Sequence, residues 1–529
     1  MNSEAHALPV GATSQWREIM QAAAVEDWQR AFLLARKLHE QAPGHLPILV
    51  QAASLAQRAG HYREAVSMAL RAACLPPWSP ELVARLVRLL RHFEQPEAVQ
   101  RVISDRGGAW RNAASPELLV EVALNVGNIG LHREAIALLD EVIARAPNHA
   151  HAYYLRGAVQ MFSGDRPASV TSLHHAKALS VDLPHAHFLL SLQAGMDCAA
   201  NEVESIEARL SSPMLSSQAE AYLSFALHNW LDRLGDHDGA WMALERGCRV
   251  KRAISPFDSD QDERLFDALQ KSVFASRQFM PRSSAEPGLI FIVGMHRSGT
   301  TLLERALAGH PDVADGGESY VMSAAMREAT NHDTRDVVDE EIVVRAGDAD
   351  FELVRERVFA YARWKAEGRS WLTEKLPTNF MNIGFIAHAF PEAKILHMRR
   401  DPVATCFSNL RTFFGDAASY TFDQVELAGR YRRYRRLMDH WHESFPGRIL
   451  DVDYEAFVDD PEAMTARVLG FCGLRPMSGL LKVGQVGGVV ATASAHLVRD
   501  GVVRNRDEAW KAYARWLRPL REALGVADA

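Results

Sequence analysis

The residues from Leu289 to Leu307 read LIFIVGMHRSGTTLLERAL: an apolar strand, a glycine turn and the start of an amphipathic helix. Gly294 and Gly299 have the spacing of a Walker A loop, but Thr300 stands where its lysine would follow the second glycine. A nucleotide hydrolase uses that lysine to hold the β and γ phosphates. Here Arg297 lies inside the turn, and Ser298, Thr300 and Thr301 supply hydroxyls. Backbone N–H groups and the helix dipole still converge on the turn, so it is expected to bind an anion. The loss of lysine argues against ordinary ATP or GTP hydrolysis and toward a different phosphate-like group. A bare strand-to-helix turn is the competing reading, and the rest of the chain decides between them.

From Leu289 onward, apolar strand segments alternate with helical patterns: LIFIVGM, SWLTEK, AKILHMRR and RILDVDY. Such alternation predicts a parallel sheet covered by helices on both faces, with ligands at the carboxyl ends of the strands. Arg297, Lys375, Arg400 and Tyr454 follow the first to the fourth of these strands. Their convergence predicts one site. Arg400 ends a strand, Pro402 suits a helix start, and Ser408 lies about two turns along that helix. Asp401 is expected to cap the helix and Arg399 to serve structure. The basic stretch from Arg430 to Arg436 reads as a solvated amphipathic helix. His310, His388 and His397 show no metal-ligand spacing and read as structural, so no metal is expected.

The preceding half repeats at a period of about 34 residues, that of tetratricopeptide units. Ala31 returns as Ala65 and Pro43 as Pro77; Gly60, Ala65 and Pro77 correspond to Gly130, Ala135 and Pro147. Gly157, Gly164 and Ala176 mark a further unit, Ala98 a weaker one, and Gly235 with Ala240 the last. Small residues let paired helices approach, prolines end them, and each hairpin buries its stripe against neighbours, giving a solenoid. Such an array binds protein partners or acts as a spacer. The expected division is a repeat array over 1–250, a connecting helix and linker over 251–288, and an α/β domain over 289–529.

Composition narrows the function. The 529 residues exceed one ordinary domain, and 48% hydrophobic with 24% charged content is that of a globular protein. A net charge of −7 gives nucleic-acid binding no support. No secretory signal and no run of about twenty apolar residues is visible, so a cytoplasmic protein without a membrane span is expected. Five scattered cysteines without a CxxC pair predict neither a disulfide framework nor a zinc site.

The loop HRSGTT resembles the 5′-phosphosulfate loop of sulfotransferases that use PAPS (3′-phosphoadenosine-5′-phosphosulfate). Arg400, followed eight residues later by Ser408, resembles their 3′-phosphate motif. GGES, TEKLPTNF, FGDAASYTFD, DVDYEAFVDDP, FCGL and ATASAHLVR follow the layout of bacterial tetratricopeptide-repeat sulfotransferases, whose catalytic domain is similar to tyrosylprotein sulfotransferases. The resemblance implies a PAPS-dependent sulfotransferase acting on an acceptor hydroxyl and releasing adenosine 3′,5′-bisphosphate. It implies Glu318 as general base, Lys375 and Arg297 as stabilisers of the leaving oxygen, and Ser494 beside the leaving group. It implies donor binding by Arg297, Ser298, Gly299, Thr300, Thr301, Arg400, Ser408, Tyr454 and Arg504. Small-molecule sulfotransferases place a histidine two residues after a lysine, whereas Lys375 has Pro377 there. The acceptor stays open among a peptide tyrosine, a carbohydrate and a metabolite hydroxyl, and the stretch from Arg327 to Asp350 is expected over its pocket. An interaction scaffold with an inactive sulfotransferase domain is the alternative. Several positions depart from the family: His296 replaces a usual proline, Ala491 an arginine, and Glu508 a glycine between Arg504 and Trp510, with Asp500 lying nearby.

Overall fold

The computed structural model describes residues 8–9, 11–76, 79–104, 109–180, 182–272, 283, 285–480 and 506–526. Pro77, Ala491, Ser494, Asp500 and Arg504 lie outside them. The chain forms two compact units: residues 1–159 with 321–334 and 348–354, and residues 160–320 with 335–347 and 355–529.

The first unit is built of antiparallel helix pairs, among them Leu46–Arg58 with Tyr62–Ala73, and Pro116–Asn128 with His132–Arg145. The alanines that carry the period (Ala31, Ala65 and Ala135) are wholly buried, as close helix approach requires. Gly60 and Gly130 end their first helices with φ of 81° and 86°, a left-handed cap that glycine adopts without strain. In the weaker unit Glu94 takes the same role at φ 51°, which is why that repeat lacks the glycine signal.

Compactness does not divide the chain where the repeat character fades. Residues 160–250, though repeat-like, pack in the second unit. There the helices Ser217–Leu234 and His237–Ile254 meet the rest of the unit through Asp232–Arg411 (2.6 Å), Lys251–Asp416 (2.8 Å) and Arg252–Glu426 (2.6 Å). Trp241 stacks on Trp516 at 5.5 Å.

The second unit holds a five-stranded parallel sheet. Its strands are β1 (Gly288–Gly294), β2 (Val313–Ala314), β3 (Trp371–Glu374), β4 (Lys394–Arg399) and β5 (Ile449–Asp453), in the order β2-β3-β1-β4-β5. The four expected strands are present. β2, two residues long, is too short to leave a periodic signal. β1 is buried throughout, and its register with β4 pairs Gly294 with Met398. The chain leaves β1 toward β3's side and leaves β4 toward the other, so a crevice opens between them at their carboxyl ends. Apolar helix faces, including Leu303 and Leu307 above and Val468 and Leu469 beside them, complete the core.

The helix Gln424–Ser444 corrects one expectation: Arg430 and Arg433 are buried. Both bond Asp262 of the helix Ser259–Lys271, Arg433 at 2.7 Å, while Arg436 reaches Glu263 at 2.6 Å. The helix is clamped to an acidic partner rather than solvated. All five cysteines are free, and among the described residues no helix is long and apolar enough to cross a membrane.

Candidate functional site

The strand-to-helix turn after β1 is shaped by close packing. A side chain on Gly294 would put its Cβ 2.6 Å from the Met398 carbonyl oxygen, and one on Gly299 would reach 2.5 Å from the Tyr454 ring. Between them Arg297 holds φ 67°, an uncommon left-handed geometry for a residue with a side chain. The helix Thr300–Ala308 then starts without any side-chain cap. Ser298 is 1% exposed and its Oγ is buried without a hydrogen-bond partner among the described residues. An uncapped helix start with a buried orphan hydroxyl suits an oxyanion.

The turn after β4 faces the first one across the crevice. Asp401 caps the helix Pro402–Leu410 through the Ala404 N–H at 2.7 Å, as expected. Arg400 donates to the Arg297 carbonyl at 3.1 Å and lies over the Tyr454 ring at 4.6 Å. Arg297 Nε donates to Ser408 Oγ at 3.1 Å, and Asn409 donates to the His296 carbonyl at 2.7 Å. Arg297, Ser298, Gly299, Arg400, Ser408 and Tyr454 therefore meet in one cluster. Arg399 turns away and pairs with Asp451 at 3.0 Å.

A second cluster forms where β3 ends. Lys375, fully buried, donates to Glu318 at 2.7 Å and lies 3.9 Å from Glu304. The 315–319 loop that presents Glu318 is locked to β3. Gly316 N–H donates to Thr373 Oγ1 at 3.2 Å, Lys375 N–H to the Gly317 carbonyl at 3.0 Å, and Gly317 N–H to Glu304 at 3.1 Å. A Cβ on Gly316 would fall 1.9 Å from the Thr373 carbonyl oxygen, so the loop admits only glycine there. Glu374 accepts from Ser319 at 3.1 Å and Asn379 at 2.6 Å.

The carboxyls divide by burial. Desolvation, then the charge of Asp315, drives Glu304 well above the ordinary range. Burial pushes Glu374 up to about 8. Glu374 thus favours the neutral form at pH 7. Glu318, with a side chain 27% exposed, is the carboxylate hydrogen-bonded to Lys375.

Arg297, Thr300, Thr301 and Glu318 line a cavity of about 590 Å³. Tyr320, Asp336, Asp339, Asp258 and Arg430 line it too. His296, also in the wall, is held down to about 4 by burial and then by the charges of Arg430, Lys375 and Arg297, so its ring is neutral. Of the stretch expected over the pocket, residues 335–340 line the cavity, whereas Arg327–Thr334 belong to the other compact unit.

Sequence reading missed the supporting acids Glu304 and Glu374, the Asn409 contact and the Asp262 clamp. Only Glu304 left a signal, as a charge on an otherwise apolar helix face. It also missed a cluster of His397, His442 and Asp451, whose donor atoms lie within 4.8 Å of one another. Asp451 lies 2.8 Å from His397 and 2.9 Å from His442, bringing together residues with no linear spacing pattern.

The sequence model described as "Sulfotransferase family" matches residues 287–478. An uncharacterised protein of Aquifex aeolicus is 26% identical over 414 residues, which cover 74% of this chain and 52% of that protein. The chain thus spans about half the length of this relative. Protein-tyrosine sulfotransferase 2 of Gallus gallus is 29% identical over 229 residues, covering 39% of this chain and 58% of that protein. The solved sulfotransferase domain of the curacin biosynthetic pathway aligns with 46% of this chain and 99% of that domain at 16% identity, but its TM-score of 0.30 is too low to bear on the fold. Residues 287–478, which hold the crevice between β1 and β4 and the Glu318–Lys375 pair, therefore carry the match to the sulfotransferase family, joined in one chain to an N-terminal array of tetratricopeptide-like helical hairpins.

Proposed function

We propose that the domain moves a sulfuryl group from PAPS to an acceptor hydroxyl. The observation that carries this reading is the meeting of two arginines, an uncapped helix start and a Glu–Lys pair around one crevice. The residues fit the donor: Ser298 Oγ is buried without a partner among the described residues, and Arg297 and Arg400 bring positive charge to the same turn. PAPS supplies, when bound, a sulfuryl group on a 5′-phosphate leaving group and a separate 3′-phosphate.

Arg400 and Ser408 hold the 3′-phosphate, and the backbone and hydroxyls from Ser298 to Thr301 hold the 5′-phosphosulfate, with Tyr454 packed beneath the Gly299 turn. Glu318 accepts the proton of the acceptor hydroxyl as its oxygen bonds to sulfur. The bond from sulfur to the bridging oxygen breaks, its electron pair stays on that oxygen, and Lys375 and Arg297 meet the charge. Ser494 and Arg504 belong to the same proposal on resemblance alone, since both lie outside the described residues.

The acceptor end is acidic. Carboxylates outnumber arginines in the cavity lining, and Asp336 is raised by partial desolvation and then by the charge of Asp339. Similarity to tyrosine sulfotransferases supports a peptide tyrosine, and this wall favours one without dense acidic flanks, because like charges at an interface repel. The repeats are proposed to engage a protein partner or the acceptor, with the whole chain acting in a reducing compartment such as the cytoplasm. Calorimetry with adenosine 3′,5′-bisphosphate against ATP with Mg²⁺ tests the reading. Binding of the bisphosphate alone is expected; a preference for ATP with Mg²⁺ overturns it, and binding without sulfuryl transfer from labelled PAPS to any pooled acceptor returns the scaffold alternative.

A further inference from the structure

The loop that follows the helix Pro402–Leu410 carries two consecutive phenylalanines that face opposite ways. Phe414 lines the cavity, its ring 5.1 Å from that of His296, with Arg297 in the same wall. Phe413 turns into a group of rings: Tyr222 at 4.2 Å, Phe225 at 5.1 Å and Phe188 at 5.5 Å. These rings come from the helices Pro184–Gln193 and Ser217–Leu234, which are repeat-like but belong to the same compact unit as the loop and the whole cavity lining. From the next helix, His237–Ile254, Lys251 lies 5.6 Å over the Phe413 ring and donates to Asp416 at 2.8 Å. Ser255, which ends that helix, donates to the same carboxylate oxygen at 2.7 Å. Lys251 is 3% exposed, so a loop that moved away would leave a buried cation short of its carboxylate. At the start of the loop Arg411 pairs with Asp232 at 2.6 Å, and beyond its end the Tyr420 hydroxyl lies 3.3 Å from His296 Nδ1.

We infer that Phe413, assisted by Lys251, is a positioning residue: the helices from Pro184 to Ile254 hold it, and it holds Phe414 and Asp416 in the cavity wall, where the acceptor meets them. The inference deepens the sulfotransfer reading and rests on it for which ligand fills the cavity. Glu318 lines that cavity, whereas Arg400 and Ser408, the proposed 3′-phosphate holders, are not among its lining residues. The nucleotide end of the donor therefore lies elsewhere, and Phe414 faces the acceptor. Rings packed behind a loop fix where the next side chain points, and a wall held this way keeps its shape before the acceptor arrives. The last repeat-like helices thereby build part of the acceptor site instead of merely preceding it in the chain.

The test uses the full chain carrying Phe413→Ala, Phe413→Leu, Lys251→Met or Phe414→Ala. Amide hydrogen exchange, calorimetry with adenosine 3′,5′-bisphosphate and transfer from labelled PAPS to a tyrosine peptide are measured on each. Phe413→Ala and Lys251→Met are expected to speed exchange between 411 and 418 by about tenfold or more, with β1 and β4 still protected. They raise the peptide KM about tenfold, while kcat and bisphosphate affinity stay within about twofold. Phe413→Leu, which keeps an apolar anchor, recovers most of both effects. Phe414→Ala raises KM without the faster exchange, because the anchor behind it is intact. Unchanged exchange in Phe413→Ala, faster exchange with an unchanged KM, or a bisphosphate affinity that falls in step with the peptide's overturns the inference. Failure of the unsubstituted chain to bind the bisphosphate or to transfer sulfate sinks the sulfotransfer reading instead, and exchange alone then decides whether Phe413 holds the wall.

Discussion

The two ends of the crevice are built in different ways. At the proposed donor end, two neighbouring parallel strands deliver their turns side by side, and the turns bond to each other: Arg400 to the Arg297 carbonyl, Arg297 to Ser408, Asn409 to the His296 carbonyl. At the proposed acceptor end, the Glu318 loop is held by buried acids from elsewhere in the chain, and the wall is a segment returning from the repeat unit. The first end is fixed by sheet register and close backbone approach. The second adds to a close approach of its own, Gly316 against the Thr373 carbonyl, a wall over 335–340 whose side chains can change one at a time. On the proposed reading, the anion cradle and the wall are thereby separated, and acceptor preference is expected to shift without disturbing donor binding.

If the ends are separable, substitutions should affect one and spare the other. The largest effect is expected for Glu318→Gln, which keeps shape but cannot take a proton; turnover should fall about 10²–10⁴-fold. Bisphosphate affinity should hold, and a parallel loss of affinity would join the two ends into one. Arg400→Ala should weaken adenosine 3′,5′-bisphosphate by roughly 2–5 kcal/mol, the cost of breaking a buried charge pair, with little change for adenosine 5′-monophosphate. Calorimetry showing equal loss for both nucleotides would remove the 3′-phosphate from Arg400.

Glu374 sharpens the contrast through pH. Its carboxyl titrates near 4.5 when unfolded and at about 8 in the fold. Since the folded value is raised, its stabilising share is complete below about 4.5 and is lost as pH rises through about 8. The slope reaches at most about 1.4 kcal/mol per pH unit. Glu374→Gln, which stays neutral, should flatten that slope in urea midpoints measured at pH 5, 6.5 and 8; an unchanged slope would mean the carboxyl is ionised in the fold. The smallest effect is expected at the acid wall. Tyrosine peptides with lysine flanks should show a KM up to about fivefold below those with aspartate flanks, the scale of exposed ion pairs. Asp336→Asn should narrow the difference, and preference for the aspartate peptide would reverse the reading of the wall.

The same division explains what could be read from the chain alone. Arg297 and Arg400 announced themselves because each lies within a few residues of an apolar strand, where spacing alone sets direction, and Ser408 because it follows two turns along the helix that Pro402 starts. Asp401 as a cap and the buried alanines of the repeats were legible for the same reason. Asp262 under Arg430 and Arg433, and Asp333 between Gln57 and His92, are pairings across more than 160 residues, and no local pattern encodes them. Without its partner in view, the Arg430 helix reads as solvated. The two-residue β2 carries no periodicity at all.

The pairing of Asp232 with Tyr513, 281 residues apart, has a consequence in time. With Trp241 stacked on Trp516, it ties the hairpin that opens the catalytic half to the last helical segments of the chain. A ribosome adding about 5–20 residues per second would need roughly 15–60 s between these partners. Through that interval the Trp241 ring lacks the Trp516 face on which it stacks in the finished fold, and long-range closure of this kind is slow once it begins. A nascent chain of this protein therefore passes through a stage at which its early hairpins are complete but sticky. In a cell its yield should depend on chaperone capacity during synthesis as well as on the stability of the finished fold.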